Sequence, residues 1–272
     1  YIGIGVLLVG GIVTFLGMIK PLYIAFTHTR DALKKSAKAK KATKKIEPKE
    51  QDIPMPYVIG LTLLVMVPVV LFYIQKLNMD VLNLSAQEMF SMVSMMAIYT
   101  LVAGFILSVV CGYIVGLVGS SASPISAIAI GAILLISLIL LGMLGGHAAF
   151  ANDPIKAKAA STIAIMIGVV IICSVAITND TIQDLKVGQM VGATPWKQQV
   201  MQILGVVVAA FLVPPILQLL YEAYGMGGMY PRAGMDPSVS LPAPQAQLMA
   251  AIANGVFTKN IEWGFISLGA VV

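Results

Sequence analysis

Charged residues are scarce in this sequence, and one long stretch has none. Asp, Glu, Lys and Arg make up 11% of the 272 residues, whereas soluble domains carry roughly 25%. Between Met89 and Asn152 none of the four occurs. This stretch is too long for one bilayer crossing and suits two, because a spanning helix needs roughly 20 apolar residues. With 58% apolar residues and a mean hydropathy of +0.92, the composition predicts an integral membrane protein.

Residue patterns for catalysis and metal binding are also lacking. The two His and two Cys residues are scattered along the chain, so they do not form a metal-ligand spacing. The sequence has no Walker-type glycine loop, no nucleophile elbow and no dinucleotide fingerprint after a strand. We therefore predict no catalytic residue, no metal site, no cofactor and no enzyme activity. The two cysteines, Cys111 and Cys173, lie in separate apolar segments and are expected to be small core residues.

The hydropathy pattern predicts an all-α, polytopic transmembrane bundle with broken or re-entrant helices. The expected spans cover about residues 1–23, 56–74, 89–119, 124–146, 159–177, 201–224 and a truncated one at 263–272. Because the first residues already have the character of a helix interior, we expect the chain to be a fragment of a larger membrane protein. An apolar stretch at 246–257 is too short to span and is expected to lie in the interface or re-enter.

Positive charge is concentrated in residues 28–52, which we predict to be a cytoplasmic linker. From Arg30 to Asp52 there are nine basic and four acidic residues, and Lys/Arg-rich loops stay on the cytoplasmic side. Simple alternation of the spans then puts residues 120–123 towards the inside and residues 147–158 outside. The linker has no interleaved aromatic residues, so nucleic acid is not an expected partner. Its lysines would be attracted to anionic membrane lipid.

The charge-free apolar stretch is interrupted at residues 119–124, Gly-Ser-Ser-Ala-Ser-Pro. Small hydroxyl residues followed by Pro predict a helix end with free backbone donors. In water this would be an ordinary turn, but at membrane depth such backbone is tolerated only against protein or a water-filled cavity. The dipole of the following helix would favour a carboxylate. The candidate substrate-binding residues are Tyr113, Ser120, Ser121, Ser123, Pro124 and Ser126. Gly112 and Gly116, just before the break, also fit ordinary close helix packing.

A polar segment at 178–186 is the second feature of interest. Asp180 is predicted to cap a new helix, with Gln183 three residues on, and a capped interfacial helix is one interpretation of the segment. The alternative is a coupling or gating site containing Asn179, Asp180 and Asp184. Glu222, at the end of the sixth span, is a further coupling candidate. In that sixth span Pro214–Pro215 should kink or break the helix.

Residues 112–126 resemble the GYxxGLxGSSxNPISG signature of bacterial members of the oligopeptide transporter family, which are related to the yellow stripe-like metal-chelate carriers. Two further stretches match in order, residues 179–195 and residues 235–246. This sequence has Ser123 where the signature has Asn, and Ala127 where it has Gly, which puts any role of that Asn amide in doubt.

The resemblance implies secondary active transport of oligopeptides or peptide-like metal chelates, driven by protons, in a bacterial inner (plasma) membrane. It also implies the remaining segments of the same transporter as partners, and a homo-oligomer is left open. A membrane-embedded enzyme or a structural subunit of a membrane complex is the alternative.

Overall fold

The computed structural model describes scattered positions between residues 3 and 27, and then residues 51–77, 82, 84–150, 153–227, 234, 236, 238–259 and 263–271. The described positions between 3 and 27 are helical. Most of the linker predicted at 28–52 lies outside the described residues, and so do most of residues 228–237.

Seven complete helices follow in the described part of the chain. They are α1 (Met55–Leu77), α2 (Ala86–Val118), α3 (Ile125–Met143), α4 (Pro154–Val191), α5 (Pro195–Tyr224), α6 (Pro244–Thr258) and α7 (Trp263–Val271). The first five are long and apolar enough to cross a membrane. The predicted class, an all-helical multi-pass membrane protein, is confirmed.

Helices α2, α3, α4 and α6 pack together and form the core. Ile133 and Ile136 of α3, Ile167 and Ile171 of α4, and Phe257 of α6 are almost fully buried. Polar groups inside this core are paired: the Tyr99 hydroxyl on α2 donates to the Ala132 carbonyl of α3 at 2.8 Å. Cys111 is fully buried, as predicted, but the prediction for Cys173 is wrong, since its side chain is exposed on α4.

Helices α1 and α5 lie at the periphery. Only Tyr73 and Leu77 of α1 are buried, and the Tyr73 hydroxyl bonds to Thr100 of α2 at 2.8 Å. No residue of α5 is buried within the described structure. Because both helices are apolar around their circumference, they suit contact with lipid tails or further protein rather than water.

The polar segment at 178–186 does not start a helix, and this prediction is wrong. Asp180 lies deep inside α4, which runs without interruption from Pro154 to Val191. In a continuing helix each backbone N–H donates to the carbonyl four residues earlier, so no side-chain cap is required. The actual N-cap of α4 is Asp153, which accepts from the Lys156 N–H at 3.1 Å.

The expected break at Pro214–Pro215 is likewise not formed, because α5 continues from Pro195 to Tyr224. The two prolines remove backbone donors, so the carbonyls of Ala210 and Phe211 lose the N–H groups they would normally receive. Between α4 and α5 only residues 192–194 are non-helical. Gly192 adopts φ = 76°, and the Ala193 N–H donates to the Gly188 carbonyl at 2.8 Å, which closes the end of α4 as glycine-terminated helices commonly do.

Candidate functional site

The predicted break between the two charge-free spans is confirmed. Helix α2 ends at Val118 because Gly119 takes φ = 87° and ψ = 170°, a conformation that L side chains rarely adopt. Residues Ser120–Ala122 form a single 3-10 turn. At Pro124 (φ = −82°, ψ = 46°) the chain reverses tightly, and the Ile125 N–H donates to the Ser123 carbonyl at 2.9 Å. This geometry is that of an inverse γ-turn. We call residues 119–124 the break.

A buried polar chain ties the break to α4. The Cys111 sulfur lies 2.9 Å from the Ser123 hydroxyl and 3.9 Å from Oδ1 of Asn179. A thiol carries one hydrogen, so when it is donated to Asn179 the Ser123 hydroxyl donates to the sulfur. Ser123 and Asn179, which the sequence assigned to different roles, are therefore brought together. From the sequence, Cys111 was expected only as a small core residue, and its contacts with the break were not predicted.

Glycine permits the close approach of α2 to α4 beside this chain. A Cβ atom at Gly112 would lie 3.0 Å from Cγ2 of Thr178 and 3.3 Å from Cγ1 of Ile182, and one at Gly116 would touch Ile182 at 3.8 Å. The packing interpretation is thus confirmed for Gly112, whereas a Cβ at Gly116 would make only an ordinary van der Waals contact. This close approach also fixes the break at the height of residues 178–182 on α4.

The break lies at one end of the apolar layer rather than at its centre. On α4 the residues before Thr178 are almost all apolar, whereas Asp180, Asp184 and Lys186 follow within two turns. Helix α3 starts at the break and has 19 residues, which is about 28 Å at 1.5 Å per residue and close to the thickness of a hydrocarbon core.

Helix α6 also begins at the break. Nε2 of Gln245 in its first turn lies 3.5 Å from the Ser126 hydroxyl at the start of α3. The neighbouring Gln247 donates to the Gly227 carbonyl at 2.7 Å. Gly227 follows α5 and pairs with Leu241 through a 3.1 Å backbone hydrogen bond. Two helix N-termini, those of α3 and α6, therefore converge here, and the end of α5 is tied to the same place.

The predicted apolar segment at 246–257 is consequently a buried helix that runs beside α3. At its far end the Val256 carbonyl bonds to Nε2 of His147 at 2.9 Å, and Phe257 packs edge-on against Phe150. Whether this segment re-enters or lies in the interface stays a prediction. Gln245 was not named as a candidate from the sequence, although it lies in the stretch 235–246 that resembles the family.

The candidate substrate-binding residues do not all share one surface. Ser120, Ser123, Pro124 and Ser126 are partly buried, and Ser121 is exposed. Tyr113 lies with Leu117 on the exposed side of α2, about 200° around the helix from Cys111 at 100° per residue. The partly buried residues of the break are therefore the ones that the fold gathers.

The candidate coupling residues are spread over three places. Asn179 belongs to the polar chain at the break, whereas Asp180 is exposed. Asp184 lies at the contact between α4 and α5, where its Oδ2 accepts from Nε2 of Gln202 at 2.7 Å and its carbonyl accepts from Gln198 at 3.3 Å. Glu222 is near the other end of α5 and accepts from Gln218 at 2.9 Å.

No group of three or more His, Cys, Asp or Glu residues in the described ranges is placed to hold a metal ion. What the site offers is hydroxyl groups, an amide and free helix-start N–H groups beside an apolar bundle. Such an arrangement can bind carbonyl and carboxylate groups.

Comparison with known proteins places the whole chain in one family. The sequence model described as "OPT oligopeptide transporter protein" matches residues 1–272. A Haemophilus influenzae protein named "Putative oligopeptide transporter" is 35% identical over 277 aligned residues, which cover 100% of this chain and 42% of that protein. The chain thus spans less than half the length of this curated relative. No solved structure matches the chain.

Proposed function

The chain belongs to the OPT oligopeptide transporter family, and on that premise we propose that it forms part of a secondary active transporter for oligopeptides or peptide-like metal chelates, coupled to protons. It is a multi-pass membrane protein, and its bacterial relative suggests the plasma membrane. The family is one of transporters rather than of enzymes.

The break is the observation that supports this proposal. It interrupts two apolar helices with partly buried hydroxyl groups, and it lies where α4 changes from apolar to polar. The starts of α3 and α6 meet there through Gln245 and Ser126. Helix N-termini favour negative charge, so the terminal carboxylate or a backbone carbonyl of a peptide would be a suitable guest.

The proposal is tested by uptake into proteoliposomes that contain the complete transporter. Labelled peptides of two to six residues and iron chelates are offered with and without an inward proton gradient. We expect peptide uptake against a concentration gradient, and faster uptake when the interior is alkaline. Peptide uptake at the same rate with and without the pH gradient would exclude proton coupling. Accumulation of chelates alone would exclude peptides as the substrate.

The role of the break is tested by placing apolar bulk in it. Ser120→Leu should reduce uptake about tenfold or more, because a lost hydrogen bond to a buried polar group costs about 1–3 kcal/mol. Ser121→Leu should reduce it less, because the Ser121 side chain is exposed. Ser267→Leu is the matched control, since Ser267 is exposed on α7 and bonds only within its own helix, to the Gly264 carbonyl. Normal uptake by both break variants, at normal expression, would exclude the break from the substrate path.

A further inference from the structure

A second concave site lies at the opposite end of the bundle from the break. A cavity of about 410 Å³ opens between the start of α2, the end of α3 and the start of α4. Helix α3 begins at the break and ends here, at Met143. The volume falls within the range of about 300–1,000 Å³ that small-molecule sites occupy. We call this cavity the vestibule.

Most of the vestibule wall is apolar, with Leu82, Met92, Met143 and Phe150 among its lining residues. Such a wall accepts side chains of many shapes, because hydrophobic contact is not directional. Two charged residues of opposite sign, Glu88 and Lys156, also line it.

The carboxylate of Glu88 is held in place at the start of α2. Its Oε2 accepts from the Ser85 N–H at 2.9 Å and from the Ser85 hydroxyl at 2.7 Å, while Ser85 in turn accepts from the Glu88 N–H. Both of these bonds reach the same oxygen, and within the described residues Oε1 has no hydrogen bond. Glu88 therefore combines a fixed position with a free acceptor.

Lys156 lies in the first turn of α4, and its backbone N–H donates to Asp153. Its ammonium group forms no ion pair with any residue that the structure describes, and it does not pair with Glu88. Asp153, although close in sequence, does not line the vestibule. Among its described lining residues, the cavity thus has one anionic and one cationic group that do not pair with each other.

We propose that the vestibule binds short zwitterionic peptides by their two ends. Glu88 takes the terminal ammonium, Lys156 takes the terminal carboxylate, and the apolar wall takes the side chains between them. This inference rests on the proposed function, which supplies the substrate class. It assigns the entry side of the path to the end of the bundle opposite the break.

The test pairs charge-removing variants with blocked peptides. Glu88→Gln removes the charge and keeps the cap, because Gln at this position also forms a capping box. Lys156→Gln removes the ammonium group, and Lys158→Gln is its matched control, since Lys158 is exposed two residues away and does not line the vestibule. Binding of an alanine dipeptide, its N-acetylated form and its C-amidated form to the purified complete transporter is measured by calorimetry, beside uptake in proteoliposomes.

We expect Glu88→Gln to raise the Kd of the free dipeptide about two- to fivefold, as the loss of one exposed ion pair implies, and to leave the Kd of the N-acetylated peptide unchanged. Lys156→Gln should likewise raise the Kd of the free dipeptide, through its terminal carboxylate, and leave the Kd of the C-amidated peptide unchanged. Equal effects on free and blocked peptides, or none, would overturn the vestibule. If the dipeptide binds with this selectivity but is not taken up, the vestibule stands and the transport proposal fails. If the dipeptide is taken up but binds without this selectivity, the transport proposal stands and the vestibule proposal fails.

Discussion

At the residue scale, single glycines set how closely the core helices approach. Gly168 of α4 faces Ile133 of α3, and a Cβ atom there would overlap the Ile133 side chain, which is fully buried. Gly104 of α2, in contrast, has nothing within 4 Å of the position a Cβ would take. Gly112 and Gly116 were predicted from their spacing to allow close helix packing. Gly168 was not, although Ala164 four residues earlier gives it the same small-xxx-small spacing.

These two glycines make a matched pair of predictions. Gly168→Ala should lower the free energy of unfolding by about 1–3 kcal/mol, the usual cost of forcing extra volume into a packed core. Gly104→Ala should raise it by up to about 1 kcal/mol, since Ala favours the helix over Gly and has open space here. Thermal unfolding in detergent measures both, and equal shifts for the two variants would show that α3 and α4 do not approach as described.

Asp184 is the acidic residue best placed to link movement of two helices, because it connects α4 to Gln202 of α5. We predict that Asp184→Asn abolishes gradient-driven uptake and spares substrate exchange, because Asn keeps an oxygen that can accept from Gln202 but cannot take up or release a proton. Asp180→Asn, one turn away on α4, is the matched control and should leave both activities unchanged, because Asp180 is exposed like Asp184 but has no hydrogen bond to α5 among the described residues.

Transport assays with both aspartate variants discriminate between coupling and packing. Loss of exchange together with gradient-driven uptake in Asp184→Asn would indicate a structural role, and retained gradient-driven uptake would exclude Asp184 as the coupling site. The coupling roles of Asn179 and Glu222 stay predictions, to be checked by the same two assays.

At the element scale, hydropathy predicts where apolar helices lie but not where they stop. The segment at 178–186 was expected to leave the membrane as a loop and a new helix, because Asp180 and Gln183 match a capping box. A capping box stabilises a helix start only where the chain has already left the preceding helix. Here nothing interrupts α4 before Gly192, and the polar residues simply extend the helix beyond the apolar layer.

Helix α6 shows what contacts add to a short apolar segment. With 15 residues it is too short to span reliably, and its length alone allowed an interfacial or a re-entrant position. Its placement comes from tertiary partners distant in sequence: Ser126 at one end, His147 and Phe150 at the other. No local sequence pattern predicts such contacts.

We predict that His147→Ala loosens the far end of α6. The Val256 carbonyl is one of the last four in α6, which lack partners within the helix, and losing its bond to His147 should cost about 0.5–1.5 kcal/mol. His147→Gln, which keeps a donor, is expected to retain most of this stability. Limited proteolysis after Lys259 and thermal unfolding both report the effect, and equal behaviour of the Ala and Gln variants would show that the bond contributes nothing.

At the scale of the whole molecule, several contacts collect on one side of the bundle. The Trp196 N–H at the start of α5 donates to the Gln51 carbonyl at 3.2 Å, so the end of the predicted linker lies beside the connection between α4 and α5. The break is at the polar end of α4, on this same side. The vestibule is at the other end. This arrangement supports the predicted alternation of spans, which puts residues 120–123 towards the inside and residues 147–158 outside.

The sequence predicted the membrane class, the break and most helix positions, because each depends on local composition. It could not predict that Cys111 joins Ser123 to Asn179, or that Glu88 and Lys156 line one cavity. Those pairs are distant in sequence and meet only through helix packing, on which hydropathy carries no information. The exposed apolar surface of α5 likewise has no sequence signal that separates lipid from a further helix.

The orientation of the molecule gives the last prediction: residues 28–52 and the break face the cytoplasm, and the vestibule faces outward. The reason is the excess of nine basic over four acidic residues between Arg30 and Asp52, which the positive-inside rule retains in the cytoplasm. In a Cys173→Ser background, Ala37→Cys and Ala42→Cys should resist a membrane-impermeant maleimide in right-side-out vesicles and react after permeabilisation. Ala148→Cys, exposed beside the end of α3, should react in intact vesicles. Because Cys111 is buried, it can stay without adding background. Labelling of the linker positions from outside, with protection of position 148, would invert the topology and make the break, rather than the vestibule, the first site a peptide meets.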